Sequence, residues 1–286
     1  MRLAPLVLVA GLCVPLAGHA EDRIAFLAHD GGFWQVWTMA PDGGNQRQIS
    51  SSQYEKARIS WFPSGDEIAV VPLQGAPIRL NRTSGGEERL ELGLDSVHDV
   101  AVSPDGTTFA VSAMVGEVPD NHDIWIVPAR GSGAPRRLVG MPWLQHEPRW
   151  TADGRSVVFV SGDGQQDHDI WRVDVASGSR EQLTVGSRYH FEVDVAPDGT
   201  LAFSSNRSGD YEIYTQHPNK PAVRWTDSPG LDGHPTWSPD GQSLVFHSMR
   251  GGVLNLWRQD GPGEGALQLT SFENGARAPE WWSRKK

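Results

Sequence analysis

Five copies of one motif punctuate the chain: SWFPSGDEIAV from Ser60, AVSPDGTTFAV from Ala101, RWTADGRSVVFV from Arg149, DVAPDGTLAF from Asp194 and TWSPDGQSLVF from Thr236. Their turn glycines, Gly65, Gly106, Gly154, Gly199 and Gly241, follow one another at steps of 41, 48, 45 and 42 residues. A unit of that size, built of short strand signals, specifies a β-propeller with one blade per copy. The turn chemistry agrees. Proline sets φ at the first central position, Asp suits the second, and glycine takes the left-handed position that redirects the chain into a hairpin.

Around each turn the blade follows one pattern: a first strand of alternating polarity, a Val/Phe-rich second, a third of the form acid–apolar–aromatic, and a fourth ending near Leu-Thr. The third strands are QVW from Gln35, DIW from Asp123 and Asp169, EIY from Glu212 and NLW from Asn255, with a degenerate PIR from Pro77. Five full blades are expected at about 54–93, 96–140, 145–186, 189–228 and 231–272. Residues 22–52 carry second, third and fourth strands with no first strand, and 273–282 carry a first strand with nothing after it. Ala278-Pro279-Glu280-Trp281 matches His234-Pro235-Thr236-Trp237, so the two fragments should complete a sixth blade. The expected fold is therefore all-β: a six-bladed β-propeller of four-stranded antiparallel blades, closed by pairing of the C-terminal strand with the N-terminal blade. Closure removes sheet edges that invite aggregation. Trp61, Trp150, Trp237 and Trp281 share one first-strand position, and Trp37, Trp125, Trp171 and Trp257 one third-strand position, as residues that pack blade on blade do.

Residues 1–20 read as a secretory signal, with Arg2 as the charged start, Leu3 to Val14 as the apolar stretch and Gly18 and Ala20 before the cut. The apolar stretch is too short to span a bilayer, which takes about 20 residues. Residues 21–286 are then a single propeller domain, periplasmic or secreted, without a membrane span and expected to be a monomer. Cys13 is the only cysteine and lies in the signal, so the mature chain has no thiol for disulfides or metal ligation. Removing Arg2 leaves 24 basic residues (25 − 1) against 35 acidic, a formal charge of −11, which excludes the basic footprint of a nucleic-acid protein.

The combination of Trp-Ser-Pro-Asp-Gly at Trp237–Gly241, Phe246, Ser248, Arg250 and Gly251, and of Phe203 to Gly209 with Glu212-Ile213-Tyr214, resembles the repeats of the TolB-like six-bladed propeller family. The resemblance covers residues 22–282. It implies the propeller half of the periplasmic Tol–Pal component: a partner-binding platform whose channel mouth engages an envelope protein or peptide, such as a Pal-like lipoprotein. The α/β domain that precedes the TolB propeller is expected to be absent, because strand residues begin at Arg23. Similar blades also occur in stand-alone secreted proteins and beside prolyl-oligopeptidase-like peptidases.

First strands should line the axis. Counting back from the turn proline, residues at minus five and minus three are Arg58 and Ser60, Asp99 and Ala101, Glu147 and Arg149, Glu192 and Asp194, His234 and Thr236, and Ala278 and Glu280. By strand alternation this set shares one side and makes an acidic lining, five carboxylates against two arginines. His98, His146, His190 and His234 open four consecutive blades. Together with Glu147 and Glu192 they could hold a divalent cation, calcium with oxygen ligands or zinc or manganese with imidazoles. The other reading is a set of polar repeat positions solvated by channel water. Trp34 and Trp143 are aromatics off the repeat pattern, expected in loops of the mouth face, where they either anchor a partner or pack on a neighbouring loop. The inserts at 113–123 and 161–169 lengthen loops of the same face and carry the pair His122 and His168.

No Gly-x-Ser-x-Gly elbow, phosphate loop or HExxH helix is present; Trp150 stands where the second histidine of His146-Glu147 would be. Two functions fit: a scaffold that binds an envelope protein or peptide at an acidic mouth formed by Arg58, Asp99, Glu147, Glu192 and His234, with Trp34 and Trp143; or a cation-dependent lyase or lactonase acting on a sugar-derived substrate. The absence of a catalytic signature favours the scaffold.

Overall fold

The computed structural model describes residues 22–30, 32–114, 116, 121–130, 133–162, 167–185 and 189–284. The signal assigned to residues 1–20, with Cys13, lies outside the described residues, as do parts of both long inserts.

Among the described residues, twenty-four strands form six four-stranded antiparallel sheets arranged as a ring. Their innermost strands, in ring order, are Ala276–Trp282, Lys56–Trp61, Val97–Val102, Gln145–Trp150, His190–Val195 and Asp232–Trp237. Blades are numbered from one to six in that order. The closing blade, the first, joins the two ends of the chain. Ala276–Trp282 pairs with Arg23–Asp30 in a register that sets Ile24 against Trp281 and Ala28 against Ala276. The six-bladed all-β fold and its closure by the C-terminal strand are thus as expected.

Sequence explains the layers. Second strands such as Leu244–Ser248 are buried along their whole length, because a sheet covered on both faces excludes polar alternation. Their phenylalanines, Phe26, Phe159, Phe203 and Phe246, pair across to the third-strand aromatics Trp37, Trp171, Tyr214 and Trp257. All four phenylalanines are fully buried, each stabilising the fold by about 1.5–3 kcal/mol of apolar burial. The apolar clusters lie between neighbouring blades: Leu27 and Val36 of the first blade pack with Ile59, Trp61, Ile68 and Leu80 of the second. No blade has a complete core alone, which is why the ring must close.

The hairpin turns are fixed by their aspartates. Asp105 accepts from the Ser103 hydroxyl at 2.6 Å and the Thr107 amide at 3.0 Å, and Asp153 and Asp240 do the same in their blades; Asp198, preceded by Ala196, accepts from the Thr200 amide at 2.9 Å. At Gly65 (φ 71°) a side chain is excluded twice over, by conformation and because a Cβ would stand 2.3 Å from the Trp282 ring. Trp282 also donates its indole N–H to the Pro63 carbonyl at 3.1 Å, so the last strand grips the second blade as well as its own.

Candidate functional site

Each innermost strand carries a β-bulge near its start. In four blades the bulge puts a non-glycine residue in the left-handed region: Glu147 (φ 52°), Glu192 (φ 56°), His234 (φ 49°) and Ala278 (φ 52°). The bulge turns a backbone N–H toward the axis, where a carboxylate of the preceding blade receives it. Asp99 accepts from the Glu147 amide at 3.2 Å, Glu147 from the Glu192 amide, and Glu192 from the His234 amide at 2.7 Å. Arg58 starts this chain of clasps, 3.1 Å from Asp99 and 3.6 Å from Glu147. The structure therefore brings Arg58, Asp99, Glu147, Glu192 and His234 together around the axis, with little space left between them.

One layer deeper the minus-three residues repeat the device. Ser60 accepts from the Val102 amide at 3.1 Å, Asp194 from the Trp237 amide at 2.8 Å and Thr236 from the Trp281 amide at 3.2 Å. Arg149 crosses the axis to Glu280 at 2.6 Å. That pair joins opposite blades one layer below the Glu147 and Glu192 carboxylates.

Electrostatics follow from this geometry. Burial alone would raise the pKa of Glu147, but His146 and Arg58 outweigh it and hold the group down at about 2. Burial likewise opposes ionisation of Glu192, and its contacts with His234 and His247 win, holding it well below the usual carboxylate range. Arg58 loses by burial and gains more from Asp99, Glu147 and Glu192, so its pKa rises. For Glu280, burial dominates over the pull of Arg149 and pushes the carboxyl up.

The four histidines expected at one level occupy three different positions along their strands. His190 turns into its own blade, bonded to Ser205 at 3.0 Å and Arg207 at 3.2 Å. His234 sits 3.4 Å from Glu192. His98 and His146 lie on the rim, one residue before the bulge carboxylates, and each meets the histidine that opens its own third strand: His98 stacks on His122 at 4.1 Å between ring centres, and His146 Nε2 is 3.4 Å from His168 Nδ1. Among the described residues, no group of three or more histidine and carboxylate side chains is placed to hold a metal ion.

That rim pairing recurs around the mouth. In the first blade Arg277 lies over the Trp34 ring, 4.2 Å from its centre, and in the fifth Phe191 faces Tyr211 with centroids 6.4 Å apart. Trp34 belongs to strand Phe33–Met39 rather than to a loop, and its amide is fixed by Glu55 at 3.0 Å; it packs. Trp143 stands out instead, 55% exposed in a left-handed conformation (φ 72°). Fully buried Gln145 holds it there, donating to the Pro142 and Trp143 carbonyls at 3.0 Å each and accepting from the Met141 amide at 3.2 Å.

No family model matches the chain. It is 30% identical over 202 residues to the uncharacterized protein Atu1656 of Agrobacterium fabrum, covering 68% of this chain and 67% of that one. It is 31% identical over 135 residues to the Tol-Pal system protein TolB of Anaeromyxobacter dehalogenans, covering 46% of this chain and 30% of TolB. The crystal structure of TolB from Acinetobacter baumannii superposes with a TM-score of 0.78 at 23% identity, over 91% of this chain and 66% of that one. The chain belongs to the TolB-like propeller family. It spans about a third of the TolB relative it matches in sequence.

Within this TolB-like propeller, Arg207 and Arg250 are structural. Each donates to the serine two residues earlier and lies over two aromatic rings, Phe203 and Tyr214 or Phe246 and Trp257. The aromatic shelf of Tyr189, Phe191 and Tyr211 is the site feature that sequence reading missed. Its signal was there: Phe191 occupies the repeat position of His98 and His146, and Tyr211 that of His122 and His168.

Proposed function

We propose that this TolB-like propeller is an exported docking scaffold of the cell envelope that presents its acidic mouth to a protein or peptide partner, a Pal-like lipoprotein being the kind its family suggests. The observation that carries this reading is the gathering of Asp99, Glu147 and Glu192 around the axis, with Arg149 and Glu280 meeting across it one layer deeper. An axis filled by charged side chains is a surface to dock on rather than a passage. Trp143, two residues before the innermost strand of the fourth blade, adds an exposed aromatic in a backbone conformation that is unfavourable for a bulky residue and is kept by the Gln145 clamp. Strain maintained in order to display an aromatic is characteristic of binding sites.

The lyase or lactonase reading has less support. Its ring carboxylates already receive backbone amides and guanidinium groups, so a calcium, manganese or zinc ion would have to compete with the clasps that join the blades. An envelope setting is supported by the Tol-Pal relative; among the described residues no helix is long and apolar enough to cross a membrane. The test is retention of envelope proteins by wild type, Trp143→Ser and Leu267→Ser. Leu267 is equally exposed but lies on an outermost strand. Loss of retention with Trp143→Ser alone, at unchanged melting temperature, supports the mouth; equal retention by all three rejects it.

A further inference from the structure

Off the axis, a second hollow, partly open to solvent, lies between the fifth and sixth blades. Phe191 and Tyr211 form one wall, and Glu147, Glu192 and Asp232 line it with carboxylates. The hollow arises from a break in the rim pairing. Where four other blades carry Arg277, His98, His146 or Phe191 and the second carries Ala57, the sixth carries Gly233, with no side chain at all. A Cβ at that position would stand 2.7 Å from both Glu192 Oε2 and His247 Nε2, so glycine both permits the approach of Glu192 and leaves the space open.

Asp232 gives an independent sign of a missing ligand. The residue is fully buried. Its Oδ2 is bonded by Arg250 at 2.6 Å and by the Ser228 hydroxyl at 3.0 Å, whereas its Oδ1 has no hydrogen-bond donor among the described residues. A carboxylate oxygen deprived of both water and donor is unfavourable, and native structures rarely leave one so. The charges point the same way. Two guanidinium groups, Arg58 and Arg250, reach these carboxylates, and Arg58 is shared with Asp99, so four carboxylates face two guanidinium groups and negative charge is in excess. An anionic ligand would be repelled. A neutral one would leave that charge uncompensated.

We propose that this cleft receives one cationic side chain, arginine or lysine, from the docked polypeptide. The guanidinium or ammonium group donates to Asp232 Oδ1 alone, so that Glu147 and Glu192 keep their clasps and contribute only charge from the wall, and the aliphatic stem lies along Phe191 with the cation near the Tyr211 ring. The proposal deepens, and rests on, the docking function of the mouth. It makes the rim pairs the variable part of the repeat, with specificity set by the one blade that lacks a rim side chain.

The test uses isotope-labelled full-length protein and four acetylated, amidated peptides, Ala-Ala-X-Ala-Ala, with X as arginine, lysine, norleucine or glutamate. The arginine and lysine peptides are expected to give saturable shifts at the amides of Asp232 and Gly233; the norleucine and glutamate peptides are not. Tyr211→Leu keeps the apolar volume and removes the polar ring face, and should weaken the arginine peptide roughly three- to tenfold. Asp232→Asn, checked by its melting curve, should remove the preference for arginine over norleucine. Equal shifts from norleucine and lysine, or no saturable shift from any peptide, overturn the proposal. The docking reading is separable: it stands if Trp143→Ser loses partner retention while the peptides show no charge preference, and it falls if retention is unaffected although the arginine peptide binds.

Discussion

Arg149 and Glu280 meet across the axis of the propeller, Nη2 to Oε1 at 2.6 Å, from innermost strands that stand opposite one another in the ring. The pair joins the fourth blade to the strand that closes the first. Removing one partner leaves a buried charge without compensation. Arg149→Met or Glu280→Gln should each lower stability by about 3 kcal/mol, while the double variant should recover more than half of that loss. Chemical denaturation of the four proteins in a double-mutant cycle measures the coupling; additive losses would mean that the contact carries no energy.

Closure of the ring should be as consequential as its packing suggests. Ending the chain after Glu273 removes Ala276–Trp282, exposes the edge of Arg23–Asp30 and empties the Trp282 seat on Gly65. The cooperative transition should be lost or sharply lowered in temperature. Trp282→Ala alone should lower stability by about 3–5 kcal/mol, read from calorimetry or urea unfolding.

Acid should weaken the fold well before its carboxylates titrate. Burial pushes His247 down to about 4, and burial with Arg207 does the same to His190. The unfolded chain protonates these rings near pH 6.5, so between about 6.5 and 4 the unfolded state binds more protons than the folded one. Stability is full above that window and falls as pH drops through it, by up to about 1.4 kcal/mol per pH unit for each ring. Denaturation curves across the window should show this slope, and His190→Asn should flatten it. The depressed Glu147 and Glu192 extend the loss in the same direction below their ordinary range.

The carboxylate ring is a clasp before it is a surface. Glu192→Gln weakens bonds to the His234 amide and the Ser204 hydroxyl, at 2.7 and 2.9 Å, and should lower stability by about 1–3 kcal/mol. Trp143→Ser should leave the melting temperature within a degree or so of wild type, since its ring is largely in water. A thermal-shift comparison separates these roles. A large loss with Trp143→Ser would assign that residue to packing.

The ring and its closure were legible because they rest on residues that repeat: the turn glycines, and the match of Ala278–Trp281 to His234–Trp237. The channel mouth was legible in membership and not in mechanism. Alternation placed Asp99, Glu147 and Glu192 on the axis correctly. Nothing in the composition of Glu147 or His234 announced a bulge with positive φ, so the amides that bind these carboxylates were invisible. The same bulge separates the histidines. His190 lies one residue before the rim and His234 one residue after it, so four residues that open consecutive blades face three ways. Trp34 read as a loop residue because the acid–apolar–aromatic signature begins at Gln35, yet pairing of Asp30 with Phe33 extends the strand past it.

A photoreactive amino acid placed at position 143 on the mouth, and separately at position 267 on an outermost strand, tests the central claim most directly. The mouth-docking account predicts a covalent adduct with one envelope protein from position 143 and none from position 267. An adduct from 267 with none from 143 would contradict it.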